Sequence, residues 1–108
     1  MSGFGFEGLL VYQRIRRLNA LLIPRLYKSQ NVDLYLRNQL KRASLSIALN
    51  IAEGSGRISA SDRRRFYVMA RGSIYECVAI LQILFDLKVF TESEYKKFYS
   101  LYTEVSKM

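Results

Sequence analysis

Two carboxylates, Glu53 and Glu76, are the side chains of this sequence most easily given a chemical task. Each closes a polar run: Arg42, Ser46, Asn50 and Glu53 recur at helical spacing, and Arg71, Ser73 and Glu76 follow on a later segment. A carboxylate pair from two helices could divide acid and base work between its members. The same groups could instead form a structural network that sets helix register, because shielded polar groups need partners. The network is the stronger reading, since nothing completes a catalytic set. The chain has no histidine. That removes the commonest general base, the usual metal ligand and every imidazole-dependent triad. Di-iron bundles need Glu-x-x-His on their helices, which is impossible here. Gly54-Ser55-Gly56-Arg57 is glycine-rich, but it follows a helix and lacks the Lys-Ser/Thr ending of a phosphate loop. Cys77 lies on an apolar face with no base beside it and reads as core filler. No enzymatic activity, metal or cofactor is expected.

Basic clusters offer a different chemistry. Arg14, Arg16, Arg17, Arg25 and Lys28 share a segment without acids, and Arg57, Arg63, Arg64, Arg65 and Arg71 follow with Asp62 alone. The run Arg63-Arg64-Arg65 falls in the first turn of a helix, where cations oppose the helix dipole. An anion there would reverse that penalty, and arginine grips phosphate bidentately. The chain carries 17 Lys and Arg against 9 acids, a net charge of +8 in 108 residues. Such a balance favours RNA, DNA or an acidic protein surface as partner. No RNP box or zinc finger accompanies it, so backbone contact is expected rather than base reading. The nucleic-acid-binding residues on this reading are Arg14, Arg16, Arg17, Arg25, Lys28, Arg57, Arg63, Arg64 and Arg65.

The length suits one domain, residues 1–108. Half the residues are apolar, which places the chain among folded proteins. A single cysteine forbids an internal disulfide and fits a cytoplasmic address. Met1 to Gly8 lacks the apolar run of a secretion signal. The oily stretch Cys77 to Phe90 is broken by Gln82, Asp86 and Lys88, so no membrane span is expected.

Helical spacing runs through the whole chain, and strand-like alternation is nowhere sustained. The first helix is expected from about Glu7 to Lys28, with Val11, Ile15, Leu18, Leu22 and Leu26 facing inward and Pro24 kinking it or ending it early. The second runs from Val32 or Asp33 to Glu53, stopped by Gly54-Ser55-Gly56. The third starts between Ser59 and Asp62, and Thr91-Glu92-Ser93-Glu94 reads as the capping box of a fourth, with Phe90 and Tyr95 placed as a hydrophobic staple. Four helices on short loops make an all-α, antiparallel up-down four-helix bundle the default. Within it, a returning third helix would bring Arg42 to Glu76 as an ion pair and Ser46 to Ser73, with close helix contact at Gly72. Glu53 would meet Arg57, Arg71 or backbone N–H groups at the turn.

The first two helices each carry a second apolar side. Leu9, Tyr12, Ile23 and Tyr27 gather on one, and Leu45 and Leu49 on the other. A helix that is apolar on two sides is buried on two sides. These six residues are the expected interface of a homo-oligomer.

The motifs that hold these residues also resemble a known bacterial family. Phe6-Glu7-Gly8-Leu9, Gln39-Leu40-Lys41-Arg42-Ala43, Ser46-Ile47-Ala48-Leu49-Asn50-Ile51-Ala52-Glu53-Gly54 and Ala70-Arg71-Gly72-Ser73-Ile74-Tyr75-Glu76 follow the pattern of four-helix-bundle proteins encoded in intervening sequences of large-subunit ribosomal RNA genes. Ala48 stands where that family usually has proline, and its Phe-Pro turn before the second helix is missing. The family is similar in turn to the accessory variability proteins of diversity-generating retroelements. The resemblance therefore implies a ring-like homo-oligomer, a pentamer, that binds RNA or DNA and a reverse transcriptase without catalysis. The alternative is a docking adaptor whose basic face binds an acidic protein.

Overall fold

The computed structural model describes residues 3–108, and their regular structure is helical throughout. A short 3-10 turn, Gly5–Gly8, leads into α1 (Leu10–Lys28), α2 (Leu34–Ser55), α3 (Ala60–Asp86) and α4 (Glu92–Ser106).

Local chemistry accounts for where the helices begin. Asp33, Ser59 and Thr91 each sit at an N-cap and accept from a backbone N–H three residues on, which satisfies one orphan donor per helix. At α4 the box closes, because Glu94 accepts the Thr91 N–H in return. The staple takes a different form from the expected one. Phe90 packs on Phe98, at 5.8 Å between centroids, while Tyr95 stacks on Phe85 at 4.6 Å.

Pro24 does not end α1, which continues to Lys28. Pro24 and Ala20 both lie on the exposed side, so the Ala20 carbonyl that proline leaves without a donor faces solvent. Gly54 does not end α2 either; the helix runs through it, and Gly56 is the C-cap. At the front of α1, Leu9 and Tyr12 pack on the core of their own chain, and Phe6 meets Tyr12 edge-on at 4.8 Å. Both residues are expected at a subunit interface, and both keep part of their surface exposed.

The core draws one stripe from each helix: Ile15, Leu18, Leu22 and Leu26; Leu40, Ala43, Ile47 and Ile51; Ala70, Ile74, Cys77, Leu81 and Leu84; Phe98, Tyr102 and Val105. Ion pairs join the start of α1 to the end of α4 (Arg14–Glu104) and the end of α1 to the start of α4 (Arg25–Glu94). Between α2 and α3, Ser46 meets Ser73 while Gly54 lies against Phe66 and Tyr67.

Gly72 does not make the close contact expected of it. A Cβ placed there would meet nothing within 4 Å, whereas one at Gly54 would lie 2.9 Å from Phe66 Cβ and 3.0 Å from Tyr67 Cε1. Gly72 is two residues from both Ala70 and Ile74, a half-turn away from the buried stripe.

One helix, α3, is long and apolar enough to cross a membrane by length and composition, with a mean hydropathy of 1.5 over its best window. The expected breaks at Gln82, Asp86 and Lys88 fall at or beyond its last turns. Its inner stripe packs in the shared core, as a core helix does, and Val68, Tyr75 and Ile83 leave its outer side apolar as well.

In the middle of the bundle a polar cluster escaped the sequence reading. Asn19 Nδ2 donates to the Ser44 carbonyl at 3.1 Å, and the Ser44 hydroxyl donates to Asn19 Oδ1. That commits the serine proton, so Tyr102 must donate its own to Ser44 Oγ across 2.7 Å. Burial pushes the Tyr102 phenol well above its ordinary value, and burial likewise raises the neighbouring Cys77 thiol to about 12. Each of the four helices contributes one member.

Candidate nucleic-acid interface

The expected basic residues do not form one patch, because several are held by partners within the chain. Arg25 is the clearest correction. Its guanidinium grips Glu94 through both Nε and Nη2, donates to the Val89 carbonyl at 2.9 Å, and lies 5.1 Å over the Phe90 ring. With its side chain only 20% exposed, it serves as the clasp between α1 and α4. Arg14 pairs with Glu104 at 2.7 Å, and Arg57 with Glu53 at 2.8 Å. Arg65 lies 3.6 Å from Asp62. Arg57 and Arg65 also cover the Phe66 ring, at 4.6 and 4.8 Å. Arg63 donates to the carbonyls of Arg57 and Ile58, so it ties down the α2–α3 turn. Arg16, Arg17, Lys28 and Arg64 are exposed and form no ion pair among the described residues.

The Arg25–Glu94 clasp makes a pH prediction. The hydrogen bond from Arg25 is the main cause that holds the Glu94 carboxyl down at about 2, against an ordinary 4.5. A carboxyl whose folded pKa is depressed stabilises the fold above its unfolded value and loses that effect as pH falls through the folded one. Wild-type protein should therefore lose about 2 kcal/mol between pH 5 and pH 2, after discounting for partial exposure, that Glu94→Gln does not lose. Thermal melts followed by circular dichroism at stepped pH measure it. Parallel pH profiles for the two proteins would refute the clasp.

The polar run of α2 is only partly a network. Ser46 Oγ and Ser73 Oγ are 3.1 Å apart, and Asn50 Nδ2 donates to Ser46 Oγ and to its carbonyl. Glu53 turns to Arg57 at the helix end. The expected Arg42–Glu76 ion pair is not formed: both residues line one shallow recess with Gln39, Ser46 and Ser73, yet no bond joins them. Arg71 turns away from Glu53 and donates to Tyr75 Oη at 3.4 Å. Glu76 sits level with Arg42, eleven residues of α2 from Glu53, or about 16 Å along the helix. That is too far for two carboxyls to act on one bond, where separations of about 5–10 Å are used.

Of the expected interface residues, Leu9, Tyr12 and Ile23 are half-buried in their own chain. Tyr27, Leu45 and Leu49 remain exposed. Leu34 and Tyr35, in the first turn of α2, are exposed as well. Sequence reading missed Arg37 and Lys41. They stand one turn apart on α2, and both lie over the ring of Tyr27. Like charges at i and i+4 were the available signal.

This arrangement defines an all-helical four-helix protein with unpaired arginines on its surface and apolar residues left outward. The sequence profile of the 23S rRNA-intervening sequence protein family matches residues 7–108, and the chain belongs to that family. It is similar in fold to the crystal structure of a protein of unknown function from the S23 ribosomal protein family of Bacteroides thetaiotaomicron. That likeness has a TM-score of 0.83 and 22% identity, and covers 91% of this chain and 93% of the other. No curated protein matches the chain.

Proposed function

We propose that this chain is a non-catalytic accessory protein that binds the backbone of RNA or DNA. Its unit is an antiparallel up-down bundle that assembles into a pentameric ring and presents its basic residues repeatedly to one nucleic acid. It would assist a reverse transcriptase or RNA processing in the cytoplasm. The carrying observation is the charge left over after folding. Among the described residues five of the 17 basic side chains are held in ion pairs, and twelve are not. Phosphate contacts of this kind are individually weak and gain strength by repetition. The family takes its description from intervening sequences of 23S rRNA, which names a gene location and no ligand, so RNA and DNA are tested side by side. Opposed contact order between α1 and α4 supports the antiparallel unit. The exposed Leu34, Tyr35 and Leu49 support assembly.

The test replaces Arg16, Arg17 and Arg64 together with Glu, which spares Arg25, Arg63 and the other structural arginines. Binding of labelled RNA and duplex DNA, read by fluorescence anisotropy at low salt, should fall at least about 100-fold while light scattering shows the same assembly. Unchanged affinity would contradict the reading. It would favour the docking adaptor, whose basic face would engage an acidic protein instead.

A further inference from the structure

Tyr27, Arg37 and Lys41 are joined on the flank of α1 and α2 in a way that the basic clusters above do not explain. Tyr27 extends from the last turn of α1 and is 49% exposed. Lys41 Nζ donates to its hydroxyl at 3.0 Å and sits 5.1 Å from the ring centroid. The Arg37 guanidinium lies 4.4 Å from the same centroid. Like charges one turn apart on a helix repel, and a carboxylate between them would relieve the repulsion. None is within ion-pair distance among the described residues. Asp33, one turn before Arg37, is committed to the Leu36 N–H as the cap of α2. Arg37 Nε is shielded and meets no acceptor. The tyrosine oxygen accepts from Lys41, which leaves its own O–H free to donate elsewhere.

Three kinds of donor therefore gather with no carboxylate among them: a guanidinium fork, an ammonium with two N–H groups to spare, and a phenol. The ring orders both cations before any ligand arrives, which lowers the entropy cost of binding. Lys41 also borders a groove along α2 beside Arg42, Leu45 and Asn50, and Tyr27 and Lys41 meet at its edge. The cation-rich setting is seen in the phenol itself. Its pKa is pulled below the ordinary value, first by the hydrogen bond from Lys41, with burial opposing and the charges of Lys41 and Arg37 adding.

We propose that Tyr27, Arg37 and Lys41 form an oxyanion site that takes a non-bridging phosphate oxygen of an RNA or DNA backbone. This deepens the nucleic-acid reading and rests on it. The site adds a contact on α2, apart from Arg16, Arg17 and Arg64. Arginine supplies bidentate geometry, lysine a point charge, and tyrosine a neutral third donor.

The experiment compares the full chain with Arg37→Gln/Lys41→Gln, Lys41→Arg and Tyr27→Phe. Affinity for a fluorescein-labelled single-stranded RNA and a duplex DNA is measured across a salt series, with helix content and melting checked by circular dichroism. The double variant should melt like the wild type, bind at least about tenfold more weakly at low salt, and lose roughly one unit of the log K against log salt slope per removed contact. Lys41→Arg should restore most of the binding, and Tyr27→Phe should show a smaller loss. Wild-type binding with an unchanged double variant would sink this site alone. A wild type that binds neither RNA nor DNA would sink the nucleic-acid reading and the site with it. Inorganic phosphate bound by the wild type but not by the double variant, with RNA affinity equal in both, would assign the site to free phosphate and overturn the backbone assignment.

Discussion

Gly54→Ala is expected to destabilise the protein by about 2 kcal/mol, a fall in Tm of roughly 10 °C. Gly54 is buried near the end of α2, where α3 begins its return. The new methyl would sit 2.9 Å from Phe66 Cβ and 3.0 Å from Tyr67 Cε1. Phe66 Cβ is fixed to the α3 backbone, so the helices themselves must part. Phe66 is also the ring beneath Arg57 and Arg65, so the turn moves with it. Better helix propensity returns only about 1 kcal/mol of the overpacking cost. Gly72→Ala is the control, with the opposite sign. Beyond the neighbouring backbone of α3 itself, no atom lies within 4 Å of its Cβ position, and the residue is in the interior of α3. It should gain about 0.5–1 kcal/mol. Chemical denaturation of both variants at one protein concentration measures the pair. Equal effects at Gly54 and Gly72 would mean that the close approach is placed wrongly.

Ser44→Ala is expected to cost about 3–4 kcal/mol, because it strands two buried groups at once. Ser44 is fully buried, and its hydroxyl stands between Asn19 Oδ1 and Tyr102 Oη. Removing it takes the hydroxyl partner from an acceptor on α1 and a donor on α4, and leaves Tyr102 only the weak Cys77 sulfur beside it. Tyr102→Phe should cost only about 1 kcal/mol, since Ser44 keeps its bond to Asn19. Adding Tyr102→Phe to Ser44→Ala should then recover stability instead of losing more. Strict additivity in urea titrations would break the proton order assigned to the cluster.

Sequence legibility followed the range of the interaction. The stripe Ile15, Leu18, Leu22 and Leu26 and the box Thr91–Glu94 are local patterns, and both are found where spacing places them. Ser46 and Ser73 meet because a short turn joins their helices. Arg25 and Glu94 are 69 residues apart, and Arg14 and Glu104 are 90 apart. No spacing rule links such positions, so two clasps looked like free charge. Asn19 does fall on the inward stripe, between Ile15 and Leu22, but its partners come from α2 and α4. The antiparallel return that brings Ser73 to Ser46 suggests a close contact at Gly72, yet its half-turn offset from Ala70 turns it outward. Arg37 and Lys41 were hidden because the aromatic ring that gathers them belongs to the preceding helix.

The most direct test of the whole account is multi-angle light scattering of the purified chain, alone and with a mixed pool of RNA and duplex DNA, through a salt series. The account predicts a closed assembly of about five 12.6 kDa chains that gains mass with nucleic acid at low salt and releases it steeply as salt rises. A monomer whose mass is indifferent to nucleic acid at every salt concentration would contradict it.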